Sequence, residues 1–314
     1  MNIYVGVDLG GTAIKTGLCD EEGRLVASSE GPTETELGTE RVIGNIVAYV
    51  RKLVQESPYE WDQVAGIGAG IPGFMDAETG YVYHSANLPL AGVPLRSLLE
   101  EKLGKPVAIG NDANAAALGE AWSGAAKGVP VSVMYTLGTG VGGGIVIDGK
   151  VLVGATGMAG ELGHMTVVPD LEAIHCGCGK MGCLETVSSA TGIVRMAEDA
   201  VKRGDKTMLA DLKKITAKDV FDAARAGDET ALRIIRRAAH YLAKSMAAVA
   251  LVVNPNRFVI GGGVSRAGDL LLDPVHEEFR KLAQERAQEG VDIVAAALGN
   301  DAGMIGAAAL CRMR

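Results

Sequence analysis

A chain of 314 residues with 48% hydrophobic and 22% charged residues has the make-up of a globular protein, long enough for two domains with proper cores. Its net charge of -8 and its lack of a long lysine or arginine cluster exclude the electrostatic footprint of a nucleic-acid-binding protein. The longest uninterrupted apolar run, Met246 to Val253, is far below the roughly 20 residues that span a bilayer. The N-terminus has no basic stretch of the secretory kind, so the protein is expected in the cytoplasm, without a membrane or nucleic-acid partner.

Residues 3 to 30 read as strand, glycine turn, strand, Asp20-to-Gly23 turn and strand. A helical pattern follows around 39 to 56, then an apolar strand at 64 to 71. PLRSLLEEKLG forms a helix with Pro94 at its start and Gly104 at its end. The strand PVAIGND leads into an alanine-rich helix from about 113 to 123. Residues 131 to 154 repeat the opening plan: VSVMYTL, GTG, VGGGIVI, the Asp148-Gly149 turn, KVLVG. Two hairpin units of one design predict two halves built alike. The second half is more helical, with helices near 186 to 203, 217 to 226 and 229 to 252, the last stopped by Asn254-Pro255. The strand RFVIGGG, a helix around 274 to 288, the strand VDIVAA and a final helix near 302 to 313 complete an α/β fold. The expected division is a small domain at 1–115, onto which the last helix (about 302–314) packs back, and a large domain at 116–301.

The first glycine turn, D-L-G-G-T at 8 to 12, puts Asp8 at the end of a strand. Glycines there let backbone N–H groups point at an anion, and Asp8 can hold a divalent cation beside it; a plain hairpin turn is the competing reading. The second turn, L-G-T-G-V-G-G-G at 137 to 144, is richer in glycine than a hairpin needs, and a matched pair suits ATP phosphates with Mg²⁺. No P-loop motif occurs, and no G-x-G-x-x-G opens a helix of the Rossmann type.

Three of the five cysteines fall in HCGCGKMGCLE, residues 175 to 185. The C-x-C-x4-C spacing supplies three soft ligands and needs a fourth for a closed tetrahedral site. His175 adjoins Cys176, an awkward arrangement for two ligands of one metal; His164, in A-G-E-L-G-H, lies far enough upstream to fold back. A redox pair or buried thiols are the alternative, but the glycines at 177, 179 and 182 suit a tight knuckle around structural Zn²⁺. Such a site, built from His164, Cys176, Cys178 and Cys183, would fix Glu161 and Glu185 beside it and organise a pocket for a ligand rich in hydroxyls. In G-N-D-A-N at 110 to 114, Asp112 reads equally well as a helix N-cap and as a catalytic base. Asn87 and Gly73 lie in turn-like surroundings that need no further explanation.

Taken together, D-L-G-G-T, I-P-G-x-x-D at 71 to 76, G-N-D-A-N, L-G-T-G-V-G-G-G, E-L-G-H, C-G-C-G-K-M-G-C-L-E and V-I-G-G-G resemble the ROK family of sugar kinases and sugar-responsive repressors, in its bacterial glucokinase branch. The resemblance covers nearly the whole chain. It implies the two-domain, actin-like, hexokinase-type ATPase fold, with an interdomain cleft and a zinc-binding loop. It further implies ATP-dependent phosphorylation of glucose at the 6-hydroxyl by a homodimer or homotetramer. Asp112 would be the general base, with Gly73, Asn87, Asn111, Glu161, His164 and Glu185 around the sugar. Asp8, Gly10, Gly11 and Thr12 would meet phosphate and Mg²⁺, Gly138, Thr139 and Gly140 phosphate, and Gly262 and Gly263 the adenosine. The rival readings are a kinase for N-acetylglucosamine, N-acetylmannosamine or mannose, and a sugar-sensing regulator. The regulator is disfavoured because the first glycine turn begins by residue 10, which leaves no room ahead of it for a helix-turn-helix domain.

Overall fold

The computed structural model describes residues 2–85 and 87–312, so the last two positions of the expected C-terminal helix lie outside the described residues. In chain order the first elements are β1 (Ile3–Leu9), β2 (Ala13–Cys19), β3 (Leu25–Pro32), α1 (Thr39–Gln55), β4 (Val64–Ile71), β5 (Phe74–Met75), β6 (Tyr81–His84), β7 (Val93–Pro94), α2 (Leu95–Leu103), β8 (Val107–Asn111) and α3 (Asp112–Ser123). Then come β9 (Val131–Leu137), β10 (Val141–Ile147), β11 (Lys150–Val151), α4 (Glu185–Ser188), α5 (Ala190–Lys202), α6 (Ala217–Arg225) and α7 (Glu229–Val253). The chain closes with β12 (Arg257–Gly261), α8 (Asp269–Leu282), α9 (Glu285–Gln288), β13 (Asp292–Ala295) and α10 (Ala302–Arg312).

The repeated hairpin plan becomes a repeated sheet. One sheet runs β3-β2-β1-β4-β8 and another β11-β10-β9-β12-β13, while β5, β6 and β7 form a small third sheet. In the first, β1 is antiparallel to β2 and parallel to β4, which is parallel to β8. In the second, β12 is parallel to both β9 and β13. Parallel strands carry their C-terminal ends, and the loops that follow them, to one edge, where α/β proteins gather ligand-binding residues.

Two compact units emerge: Met1–Pro130 with Gly144–Gly160 and Ala297–Arg314, and Val131–Gly143 with Glu161–Ala296. This differs from the expected edge at residue 115, which would cut through α3. That helix is held to its unit along its length by α10, and the Cβ of Ala117 would lie 2.5 Å from a Cβ at Gly144, which belongs with it.

The first unit is packed backbone against backbone. A Cβ at Gly6 of β1 would fall 1.7 Å from the carbonyl oxygen of Met304, one at Gly68 of β4 1.7 Å from that of Ala307, and one at Gly306 of α10 1.6 Å from that of Ala115. Only residues without a side chain allow α10 to lie this close to β1, β4 and α3. Alanines 307, 308 and 309 fill the remaining space with the least bulk and are fully buried. Nearby, the buried carboxylate of Glu120 accepts from the backbone N–H groups of Ala125 (2.6 Å), Ala297 (3.1 Å) and Leu298 (2.8 Å). Glu120 thereby joins the segment that runs out of the unit before Val131 to the one that returns at Ala297.

Two helices depart from the expected boundaries. The pattern over 186 to 203 divides into α4 and α5, because Ser189 is extended (φ -79°, ψ 165°) and its hydroxyl accepts from the N–H of Gly192 at 3.0 Å as the cap of α5. The helix expected from Pro274 begins five residues earlier, where the Gly268 carbonyl accepts from Leu271 and Leu272 at 3.0 Å each. The proline sits inside it.

Replacing Gly306 with alanine is expected to cost about 3 kcal/mol in urea denaturation followed by circular dichroism, the upper range for overpacking a tight interior. Gly44→Ala, at an exposed position of α1 with nothing within 4 Å of the new Cβ, should instead stabilise by about 1 kcal/mol. Equal effects of the two would contradict the close approach of α10.

Candidate active site

In the first unit, Asp8 stands near the end of β1, paired in register with Lys15 of β2 and Gly70 of β4. Its carboxylate lies against the first turn of α10: a Cβ at Gly303 would come 2.7 Å from Oδ2, so the glycine there makes room for the acid. Burial pushes the Asp8 carboxyl above its ordinary value; Lys15 opposes this and Asp112 adds to it. The Gly10-Gly11-Thr12 turn follows, closed by the N–H of Gly10 donating to the carbonyl of Ala13 at 2.9 Å. A Cβ at Gly11 would meet that of Asn87 at 3.2 Å, so Asn87 sits directly on the turn.

The cap of α3 is Asn111, not Asp112. Its side-chain oxygen accepts from the N–H groups of Ala113 (2.9 Å) and Asn114 (3.1 Å), while its amide nitrogen donates to the carbonyl of Gly73 at 3.3 Å. Gly73 is required where it stands, since φ is 129° and a Cβ would fall 2.1 Å from the carbonyl oxygen of His84. With capping done by its neighbour, Asp112 occupies the first helical position, where its Oδ1 accepts from the N–H of Ala113 at 2.9 Å. Burial pushes its carboxyl above the ordinary value, opposed by that N–H. A half-buried acid with its proton affinity raised in this way is a candidate for proton transfer.

In the second unit, the turn at Gly138, Thr139 and Gly140 is fixed by α5: the Gly138 carbonyl accepts from Ala190 (2.8 Å) and the Thr139 carbonyl from the Thr191 hydroxyl (2.7 Å). Glu185, the first residue of α4, accepts from the N–H of Val141 at 3.0 Å, and a Cβ at Gly140 would strike its Oε2 at 2.2 Å. The other oxygen of Glu185 lies 3.5 Å from the Cys176 sulfur. One carboxylate thus touches both the glycine turn and the cysteine group.

His164, Cys176, Cys178 and Cys183 place their donor atoms within 4.8 Å of one another, as the spacing predicted. The Cys178 and Cys183 sulfurs are 3.6 Å apart, and His164 turns Nδ1 toward Cys176 at 3.8 Å. Its Nε2 lies 3.9 Å from Glu161, so the imidazole bridges the sulfur group and that carboxylate. Isolated β-bridges, His175 to Met181 and Thr166 to Cys183, close the knuckle, and Gly179 (φ 83°) and Gly182 (φ 73°) make its turns. Gly177, also expected to serve the turn, has no positive φ and open space around it. Burial pushes the Cys176 thiol up to about 12, so without a cation this sulfur keeps its proton. Three cysteine sulfurs and one imidazole form a donor set that fits tetrahedral Zn²⁺.

A cleft of 620 Å³ brings Gly138 and Thr139 together with Gly263, joined by Lys218, Phe221 and Arg225 of α6. Gly262 holds the adjoining backbone, with φ 85° and a Cβ position 2.5 Å from the carbonyl oxygen of Leu137. The α6 residues follow ordinary amphipathic spacing and carry no local sequence signal for a site. Beside Asp112, the buried Oδ1 of Asn114 has no hydrogen-bond partner among the described residues.

A model of the ROK family matches residues 4–314. Over 96% of this chain and 93% of its own length, a glucokinase of Halalkalibacterium halodurans is 47% identical. Among solved structures, a ROK hexokinase from Thermus thermophilus is 35% identical and superposes with a TM-score of 0.86, over 99% of this chain and 98% of that one. A ROK family glucokinase from Streptomyces griseus, in complex with glucose and AMPPNP, is 36% identical with a TM-score of 0.81 over the full length of both chains. Their α/β sugar-kinase fold is the fold of this protein. With the family model spanning all but the first three residues, the chain belongs to the ROK family.

Proposed function

We propose that the protein transfers the γ-phosphoryl group of ATP to the 6-hydroxyl of glucose. The observation that carries the reading is Asp112: relieved of capping by Asn111, it remains a half-buried carboxylate with a raised pKa at a helix start. The full-length likeness to glucokinases, one of them solved with glucose and an ATP analogue, supports the substrates.

Phosphoryl transfer passes through a loose transition state, so the protein's work is positioning and charge stabilisation. As the sugar 6-oxygen bonds to the γ-phosphorus, Asp112 takes the hydroxyl proton; the bond from that phosphorus to the bridging oxygen breaks and ADP leaves. A raised pKa brings Asp112 closer to the range in which a carboxylate accepts a proton readily. We assign contacts with the sugar to Gly73, Asn87, Asn111, Glu161, His164 and Glu185. The backbones of Gly10, Gly11, Gly138, Thr139 and Gly140, with the Thr12 hydroxyl, would receive phosphate oxygens, and Gly262 and Gly263 the adenosine. Asp8 would hold Mg²⁺, which when bound offsets charge on the transferring phosphates. His164, Cys176, Cys178 and Cys183 would hold Zn²⁺; four protein ligands complete its shell, so the ion would fix the loop that carries Glu161 and Glu185 without reacting. The reading extends to a cytoplasmic homodimer or homotetramer with no membrane or nucleic-acid partner. No helix among the described residues is long and apolar enough to cross a membrane.

Asp112→Asn should lower kcat about 10³-fold while calorimetry finds glucose affinity within about threefold of the parent. An unfolded variant, or one with unchanged kcat, would remove Asp112 from the mechanism. Elemental analysis of purified protein should find close to one zinc per chain, and chelation should raise KM for glucose. Metal below about half an equivalent, with activity indifferent to chelation, would rule out the structural ion.

A further inference from the structure

Along α5 and α7 of the second unit lies a cleft of 520 Å³ whose charged lining is Arg195, Arg203, Arg233, Arg237, Glu172 and Asp199. Four guanidiniums meet two lining carboxylates and, beside the cleft, a third, Asp205, in a chain whose net charge is -8. The pairing within the group is thin. Asp205 alone serves both Arg203 (3.1 Å) and Arg233 (2.8 Å), and one oxygen of Glu172 accepts both from Arg237 (2.6 Å) and from the Tyr241 hydroxyl (2.9 Å). Arg195 is half-buried and has no carboxylate within ion-pair distance among the described residues; one of its nitrogens donates to the carbonyl of Thr186 at 2.7 Å. Burial lowers the Arg195 pKa, with Arg237 adding to the effect and Asp199 opposing it, so the two guanidiniums feel each other.

Both arginines stand on helices, which fixes them in advance of any ligand. A guanidinium fork matches the oxygens of a tetrahedral phosphoryl group, and Arg195, with no carboxylate in ion-pair distance among the described residues, has its charge available for one. The cleft is several times larger than a phosphate, and its apolar wall includes Ile174, Val187 and Ile234. We propose that this cleft is a second ligand site, taking a small phosphate-bearing molecule whose phosphoryl group sits on Arg195 and Arg237. The neighbours of the cleft link it to the cysteine group. Thr186, the acceptor for Arg195, follows Glu185 directly, and Ile174 precedes Cys176 by two residues, so a phosphoryl group competing for Arg195 acts on the segments that carry Glu185 and the cysteine group. That coupling rests on the proposed sugar-kinase function; binding itself does not. Two sources share the chemistry: inorganic phosphate and a sugar phosphate such as the product.

The test is calorimetric titration of the metal-loaded protein, saturated with AMPPNP, Mg²⁺ and glucose so that the candidate active site is filled, at ionic strength held constant with sodium chloride. Inorganic phosphate and glucose 6-phosphate are titrated separately. One saturable event per chain is expected, weakened at least tenfold in Arg195→Met and in Arg237→Gln. Tighter binding of glucose 6-phosphate identifies a sugar phosphate as the ligand, and equal binding identifies the phosphoryl group alone; both support the site. Arg237 is partly exposed, so if Arg195→Met fails to fold, Arg237→Gln decides. No saturable event up to 10 mM, about ten-thousandfold above a micromolar dissociation constant, or identical isotherms in parent and variants, would overturn the proposal. Loss of kinase turnover with the binding intact would instead count against the proposed function and leave the cleft standing.

Discussion

The approach of α10 to β1, β4 and α3, close enough that glycine is obligatory at positions 6, 68 and 306, is the constraint from which the first unit follows. Interiors are packed to crystal-like density, so one added carbon on any of these residues would have to displace backbone. The same approach sets chemistry as well as packing. It brings Gly303, in the first turn of α10, against the Asp8 carboxylate, and it presses α3 into place through Gly306 and Ala115, three residues along from Asp112. Two half-buried acids, the second of which raises the proton affinity of the first, are therefore held by backbone contacts rather than by flexible side chains. A site built this way has little freedom to drift, which positioning of a phosphoryl group and a hydroxyl requires.

The second unit reaches comparable rigidity by a different device. There Glu185 accepts from the N–H of Val141 beside the glycine turn and lies against Cys176, while His164 joins Cys176 to Glu161. Carboxylates that would otherwise sit on a long loop are tied into a compact sulfur and imidazole group. Sugar selection through hydroxyls rewards such fixation, because a hydrogen-bonding group left unmatched in a dry site is costly. The arginine cleft on α5 and α7 borders the same segments, so the second unit concentrates its polar machinery around one stretch of chain, residues 172 to 187.

Features that depend on neighbours in sequence were legible before any coordinates. The strands around both glycine turns, the C-x-C-x4-C group with His164, and the stop at Asn254, which is left-handed with φ 50°, all follow from local rules. Features decided by tertiary contact were not. Asn111 and Asp112 are both good capping residues, and only the extended backbone of Asn111 (φ -66°, ψ 144°) shows which one caps. Ser189 interrupts an otherwise continuous helical pattern without a proline or glycine to announce it. The unit boundary depends on what α3 packs against, and the basic cleft gathers residues from 172 to 237, among them Arg195, Arg233 and Arg237, which alone read as charged positions on two separate helices.

A hexose kinase whose sugar is glucose must turn over glucose in preference to its isomers and 2-substituted relatives. The most direct test is the initial rate of ADP formation with Mg²⁺-ATP, compared as kcat/KM across glucose, mannose, N-acetylglucosamine, N-acetylmannosamine and fructose. The account predicts a clear preference for glucose, with the 6-phosphate as product. A preference for an N-acetyl sugar, or no turnover with any of the five, would contradict it.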